Sequence, residues 1–210
     1  MRPESGRLSV DLPGVDPPRR RGRRRVMMEG MFVVYAVVGG LLVGRLLGGR
    51  LANLAALRIR WAPAAVLGLA VQLVLFTDAG AALAGPAAPA VYVASSALVF
   101  FVVLRNLAVP GLPLVALGAA SNLLAIVANG GFMPADPGAL AALGREPPTG
   151  YSNSIVIEDP ALRPLTDVFA LPPWLPLANV FSVGDVLIAA GVGAAIAVAM
   201  RGGGRGASAG

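Results

Sequence analysis

The chain has 210 residues, 56% of them hydrophobic and only 13% charged, with a formal net charge of +6. A soluble domain carries roughly a quarter charged residues, so the composition runs against an ordinary globular protein and an all-α integral membrane protein is expected. There is no Cys and no His, which excludes disulfides, thiolate chemistry, imidazole bases and the usual zinc and haem ligand sets.

Residues 1–29 stand apart from the rest. They hold eight Arg, four acids and no apolar periodicity, and such a segment does not bury enough surface to fold alone. Four readings stand for it. It is a disordered basic tail on anionic lipid, or a nucleic-acid binder, against which no aromatic interleaves the Arg residues. It is a secretory leader, against which no small-residue cleavage site follows. Or translation starts later, at Met27, Met28 or Met31, and the tail is upstream of the true start.

After Met31, apolar blocks alternate with short polar breaks. A spanning helix needs about 20 apolar residues, and five blocks approach that length: 31–47, 61–80, 87–104, 107–128 and 180–200. The membrane domain is thus expected over 30–201, with a flexible Gly-rich tail at 202–210. Between the first two blocks, Leu51, Leu54 and Leu57 recur at helical spacing among Arg50, Arg58 and Arg60, the pattern of a short interfacial helix. The third and fourth blocks form a tight hairpin. The 130–179 segment is the one long extramembrane loop. In it, Asp136 and Pro137 open a short helix that Gly144 closes. Trp174 among Pro172, Pro173 and Pro176 suits a membrane interface.

Five alternating spans put Arg45, Arg50, Arg58, Arg60, Arg105, Arg201 and Arg205 at one face and only Arg145 and Arg163 at the other. Positive charge marks the cytoplasmic side. The C-terminus is therefore expected inside a cell membrane and the 130–179 loop outside. Adding residues 1–29 reverses the balance, so the start codon bears on topology.

Gly40, Gly44 and Gly48 repeat every four residues on the first helix, and Gly191 with Ala195 and Ala199 do so on the fifth. Small residues at that spacing let helices approach closely, within the chain or to a second copy or partner subunit. Polar residues inside apolar blocks are costly and rare. Gln72, Asn122, Asn129, Ser182 and Asp185 all fall in the same half of the bilayer, under the long loop. Two readings stand: a polar pocket that binds or helps to transport a small solute or ion, or hydrogen bonds that fix the bundle of a structural or assembly protein. A third reading is intramembrane hydrolysis by Asp185 with Asp78, because Gly184-Asp185 resembles the Gly-x-Gly-Asp motif of intramembrane aspartyl proteases, with Ser182 in place of the first Gly. That chemistry needs two carboxylates a few ångströms apart. No phosphate-cradling glycine loop, metal-ligand cluster or nucleophile–base pair is present, so no cofactor and no metal is expected. The expected partner is membrane lipid, not nucleic acid.

One resemblance covers most of the chain from Met31. A Gly-rich first helix precedes an Arg-rich turn and a Trp-led second helix. Asn129-Gly130-Gly131-Phe132-Met133-Pro134 follows the fourth. Then come Leu165-Thr166-Asp167, Pro172-Pro173, and Phe181-Ser182-Val183-Gly184-Asp185-Val186-Leu187-Ile188 at the start of the last helix. This pattern resembles an uncharacterised bacterial family of small multi-pass membrane proteins, the domain of unknown function DUF5317. The resemblance implies an integral membrane protein and supplies no activity.

Overall fold

The structure is a computed structural model that describes residues 31–144 and 154–202. The Arg-rich segment 1–29, Arg145, Glu146 and Arg205 lie outside the described residues, as does the tail beyond Gly202. The described chain is mostly α-helical: α1 (Met31–Leu46), α2 (Ala62–Leu75), α3 (Asp78–Ala84), α4 (Ala88–Leu104), α5 (Leu112–Ala128), α6 (Pro137–Ala142) and α7 (Val183–Arg201). Two helical stretches are long and apolar enough to cross a membrane, the 27-residue run Asp78–Leu104 and the 19-residue Val183–Arg201. Val33–Leu46, Ala62–Leu75 and Leu112–Ala128 are shorter apolar helices.

Local chemistry sets the helix starts. Pro63, Pro89, Pro113 and Pro137 each sit in the first turn of their helix, where a missing N–H costs nothing and the fixed φ is already helical. The second helix ends at Leu75 instead of running through Asp78, and the third apolar run begins at Asp78 rather than at residue 87. Thr77 is the cause. Its Oγ1 donates to Val74 O at 2.7 Å and accepts from Gly80 N at 3.0 Å, so it closes one helix and caps the next. A Cβ on Gly80 would lie 1.9 Å from Val74 O, so the turn closes only over a glycine. The 48–60 break contains a 3-10 turn, Leu51–Ala56. Residues 107–111 form a turn, and α5 starts at Leu112 after Gly111 at φ +91°. The last helix starts at Val183, because Ser182 caps it and Val180–Phe181 is drawn into a strand.

The main packing pairs are α1 with α7, α7 with α5, α5 with α4 and α4 with α2. Space therefore orders the long helices α1–α7–α5–α4–α2, with α1 and α2 at the edges. Neighbours along α7–α5–α4–α2 are antiparallel: Gly118 of α5 meets Gly184 while Gly111 meets Ala195, Gly131 after α5 meets Pro89, and Arg60 before α2 bonds Asn106 after α4. α1 runs parallel to α7, with Gly40 beside Gly193 and Gly44 beside Met200.

Glycine sets how close α7 comes to its neighbours. A Cβ on Gly40 would lie 2.8 Å from Gly193 O, one on Gly191 2.6 Å from Gly111 O, and one on Gly118 2.4 Å from Gly184 O. Gly48 has another role from Gly40 and Gly44. It lies beyond the end of α1 at φ +80° with open space around it. Gly48 N donates to Arg45 O at 3.1 Å and Gly49 N to Gly44 O at 2.8 Å. Those are the two bonds of a Schellman cap, and Gly49, not Gly48, presses on Met200.

Residues 130–144 and 154–181 form a cap over one end of the row. β1 (Met133–Pro134) pairs in parallel with β2 (Ser154–Ile155), and β3 (Phe169–Ala170) pairs antiparallel with β4 (Val180–Phe181). Ala135, Ala139, Leu140 and Val180 form its small core. Below them, Leu75, Ala88, Tyr92, Ala125, Ile126 and Met133 join the cap to α2, α4 and α5.

Because the Gly118 contact is backbone against backbone, Gly118→Ala is expected to cost about 1–3 kcal/mol and to lower the thermal unfolding midpoint in detergent by several degrees. Gly39 faces open space within the same kind of helix, so Gly39→Ala is the control and should leave the midpoint unchanged or slightly raised. Equal effects from both would mean that α5 and α7 are not in close contact.

Candidate functional site

The five polar residues picked out by depth do not form one group. Asn122, Ser182 and Asp185 meet, Asn129 engages the cap, and Gln72 lies across the row. Gln72 Nε2 donates to Ser96 Oγ at 3.2 Å between α2 and α4.

The first three make a closed triad between α5 and α7. Ser182 and Asp185 form a capping box, the reciprocal side-chain to backbone pairing that satisfies two free N–H groups at a helix start. Asp185 N donates to Ser182 Oγ at 3.1 Å, and Ser182 N donates to Asp185 Oδ2 at 2.9 Å. Asn122 completes it from α5. Its Nδ2 donates to Asp185 Oδ1 at 2.8 Å, and its Oδ1 accepts from Ser182 Oγ at 2.9 Å. Ser182 is fully buried. A Cβ on Gly184 would stand 1.8 Å from Asn122 Oδ1. Three residues of Ser182-Val183-Gly184-Asp185 thus each have a job: Ser182 starts the helix, Gly184 admits Asn122, and Asp185 accepts from both. Ser121, the neighbour of Asn122, differs, since its Oγ is buried without a hydrogen-bond partner.

Asp78 is not among the partners of Asp185. It opens α3, and the carboxylate oxygens of Asp185 receive Asn122 Nδ2 and Ser182 N. Among the described residues, no group of three or more acids gathers where it could hold a metal ion.

Asn129 ends α5 and clips the cap to it. Its Nδ2 donates to Ala161 O at 2.9 Å, and its Oδ1 accepts from Ala161 N at 2.9 Å, so the amide pairs with a peptide group as a strand would. A second clip is inside the cap. Asp136 caps α6 by accepting from Ala139 N at 3.1 Å, and Arg163 Nη2 donates to its Oδ2 at 3.0 Å. The Ala139 amide and the Arg163 guanidinium hold the Asp136 carboxyl below the usual carboxylate range. Tyr35 of α1 donates its hydroxyl to Pro176 O, which ties the edge helix to the cap.

The chain belongs to DUF5317, a family of unknown function. The family model matches residues 56–197. No curated protein and no solved structure matches the chain. The region shared with the family contains the whole triad, the Asn129 clip and the Asp136–Arg163 pair, whereas α1 with Gly40 and Gly44 precedes it.

Two polar anchors escape a reading based on depth, because they lie outside the long apolar helices. Asn106, buried after α4, accepts from Arg60 N at 2.8 Å and donates to Arg60 O at 2.9 Å. Asn53 Nδ2 donates to Met200 O at 2.6 Å. An Asn directly after a helix and beside Arg105 is the signal that marks the first; nothing in the sequence marks the partner of the second.

A double-mutant cycle on Asn122→Ala and Asp185→Ala, read as unfolding free energy in detergent, should return a coupling of about 0.6–1.7 kcal/mol, the range of interhelical polar pairs in membranes. A coupling of zero would mean that the triad does not link the two helices. The Asp136 pair predicts a pH response. A lowered folded value stabilises the cap above the usual carboxylate range, and that contribution is lost as pH falls through the folded value. The protection of the Ala139 amide, its exchange relative to the intrinsic rate at the same pH, should fall in acid in the parent chain, and in Asp136→Ala, which removes the cap, it should be low already at neutral pH.

Proposed function

We propose that this protein is a multi-pass membrane protein in which all five long apolar helices span the bilayer, and that its intramembrane polar residues serve assembly and structure in place of solute binding. The observation that carries the second part is the closure of the triad. Asp185 receives donors on both oxygens, and Asn122 gives and receives within the same ring. An ion or solute site needs free lone pairs or donors aimed at a cavity, and interhelical pairing leaves few. Gln72 and Asn129 likewise have partners within the chain. Ser121 Oγ is one group beside the triad that a ligand would have to use. Hydrolysis by an aspartate pair is disfavoured on the same geometry, since two carboxylates must share a proton.

Charge and aromatic placement support the membrane reading. Among the described residues, Arg45, Arg50, Arg58, Arg60, Arg105 and Arg201 lie at one end of the row. Asp78, Asp136, Glu158, Asp159, Asp167 and Asp185 lie at the other, with Arg163. Trp61 and Trp174 sit exposed at opposite ends, as interface anchors do. Apolar side chains on the long helices remain exposed, Leu42, Val66, Leu69, Leu117 and Leu124 at 50% or more, a surface suited to lipid. The positive end belongs inside, and the cap outside.

The absence of Cys from the chain makes the test direct. Ala55→Cys reports the Arg end and Glu158→Cys the cap, both at exposed positions. A membrane-impermeant maleimide on intact cells should label Glu158→Cys alone, and Ala55→Cys only after the cells are opened. The opposite pattern inverts the orientation, and labelling of both in intact cells removes the odd number of spans.

A further inference from the structure

The spatial order of the helices gives the linker between α1 and α2 an unusual course. Those two helices are adjacent in sequence but occupy opposite edges of the row. Residues 47–61 must therefore cross the end of the bundle as a strap. Its hydrogen bonds mark the path. Near its start, Arg50 N and Asn53 Nδ2 both donate to Met200 O, at 2.9 and 2.6 Å, which fastens it under α7. Near its end, Arg60 pairs with Asn106 in both directions, which fastens it under α4.

Arginines gather at the same two fastenings. Arg45, Arg50 and Arg201 surround the Met200 carbonyl in sequence and backbone position, and Arg58, Arg60 and Arg105 surround Asn106. All six are exposed, and no ion pair to a carboxylate engages any of them among the described residues. The acids among the described residues are at the far end of the helices. Arg45 and Arg201 offset the negative ends of α1 and α7, which leaves the strap's own three and Arg105 without a local counter-charge among the described residues. Leu46, Leu47 and Leu51 are exposed beside them, at 85%, 54% and 62%.

We infer that the strap end is a binding surface for anionic phospholipid, with the lipid phosphate as the recognised group. The inference rests on the membrane reading above. Guanidinium forks match phosphate oxygens in pairs and give up hydration more readily than ammonium groups. Basic side chains at the ends of apolar helices meet the headgroup layer. The exposed leucines favour a lipid over RNA or a free anion, because only a lipid covers apolar and cationic groups together.

The test uses the purified full chain in detergent, with its thermal unfolding midpoint followed as phosphatidylglycerol, phosphatidylcholine or inorganic phosphate is added. The midpoint should rise with phosphatidylglycerol and stay level with the other two. Arg50→Gln, Arg58→Gln and Arg60→Gln combined should weaken the response, each Arg by roughly fivefold in apparent affinity. The matching triple Lys variant keeps charge and should keep much of the response, so a Gln variant that fails to fold leaves the comparison intact. An equal rise with phosphatidylcholine, a rise with inorganic phosphate alone, a stronger response to a short RNA, or indifference to the Gln triple each overturns the inference. Cysteine labelling keeps the two ideas apart. If Ala55→Cys is protected in intact cells and the phosphatidylglycerol response is missing, this inference fails alone. If Ala55→Cys is labelled from outside, the membrane reading fails first.

Discussion

Asp185 is a carboxylate in the first turn of a helix that is otherwise apolar, and the contact between α5 and α7 is arranged around it. It is half-buried between the two helices, so protein donors take the place of the water that burial removes. Ser182 supplies its backbone N–H from the same turn. The other donor comes from Asn122 on the next helix, and it arrives only because Gly118 and Gly184 let the two backbones close. The constraint runs in both directions. Without the glycines, Asn122 stands off and the carboxylate loses a partner; without the carboxylate, close approach gains only van der Waals contact. A one-residue slip of α7 along α5 would separate Asn122 from the capping box, so the triad fixes register as well as distance.

From that seam the rest of the row follows. α7 uses its other face, with Gly193, Ala197 and Met200, to seat α1. α5 uses its far side for α4, and α4 holds α2 through Gly68 and the Gln72–Ser96 bond. An open row of this kind is poorly suited to a soluble protein, because each long helix keeps an apolar face uncovered. The two ends then receive different treatment. One is closed by a folded cap with its own core and clips. The other is crossed by a thin strap, and there the arginines concentrate. Acids and arginines are separated by the length of the helices, which suits a molecule whose two ends face different solvents.

Much of this was legible in the residues. Composition indicates an α-helical class, and Asp136-Pro137 with Gly144 marks a short capped helix that the cap contains. The resemblance to DUF5317 is shown over residues 56–197. Less legible were contacts that depend on lateral order. Alternation of spans fixes which end of the bundle a residue occupies, but not which neighbour it faces. Gln72 and Asp185 share a depth and are separated by α4 and α5. Asn122 and Asn129 share a helical face, yet one turns to α7 and the other to Ala161 in the cap. Gly48 continues the spacing of Gly40 and Gly44, but the helix has ended by then, and its positive φ serves a cap. Thr77 hides a helix break inside an apolar run, because one hydroxyl can close a helix and open the next without any drop in hydropathy.

The family boundary sharpens the division of labour. Residues 56–197 include α2 to α6, nearly all of α7, the cap and the Arg60–Asn106 fastening. They exclude α1, Asn53 and Met200, the residues that build the other fastening. The shared part therefore contains a chain of contacts complete in itself, from α2 through α4 and α5 to α7, with the triad at one end and the cap above. α1 joins this unit at two places, glycine contacts along α7 and the Tyr35 hydroxyl on Pro176 of the cap, and the strap that follows it is fastened just beyond the unit at Met200. Those ties grip both ends of the bundle, so α1 bridges the cap and the strap, the two regions that the row otherwise keeps a helix length apart.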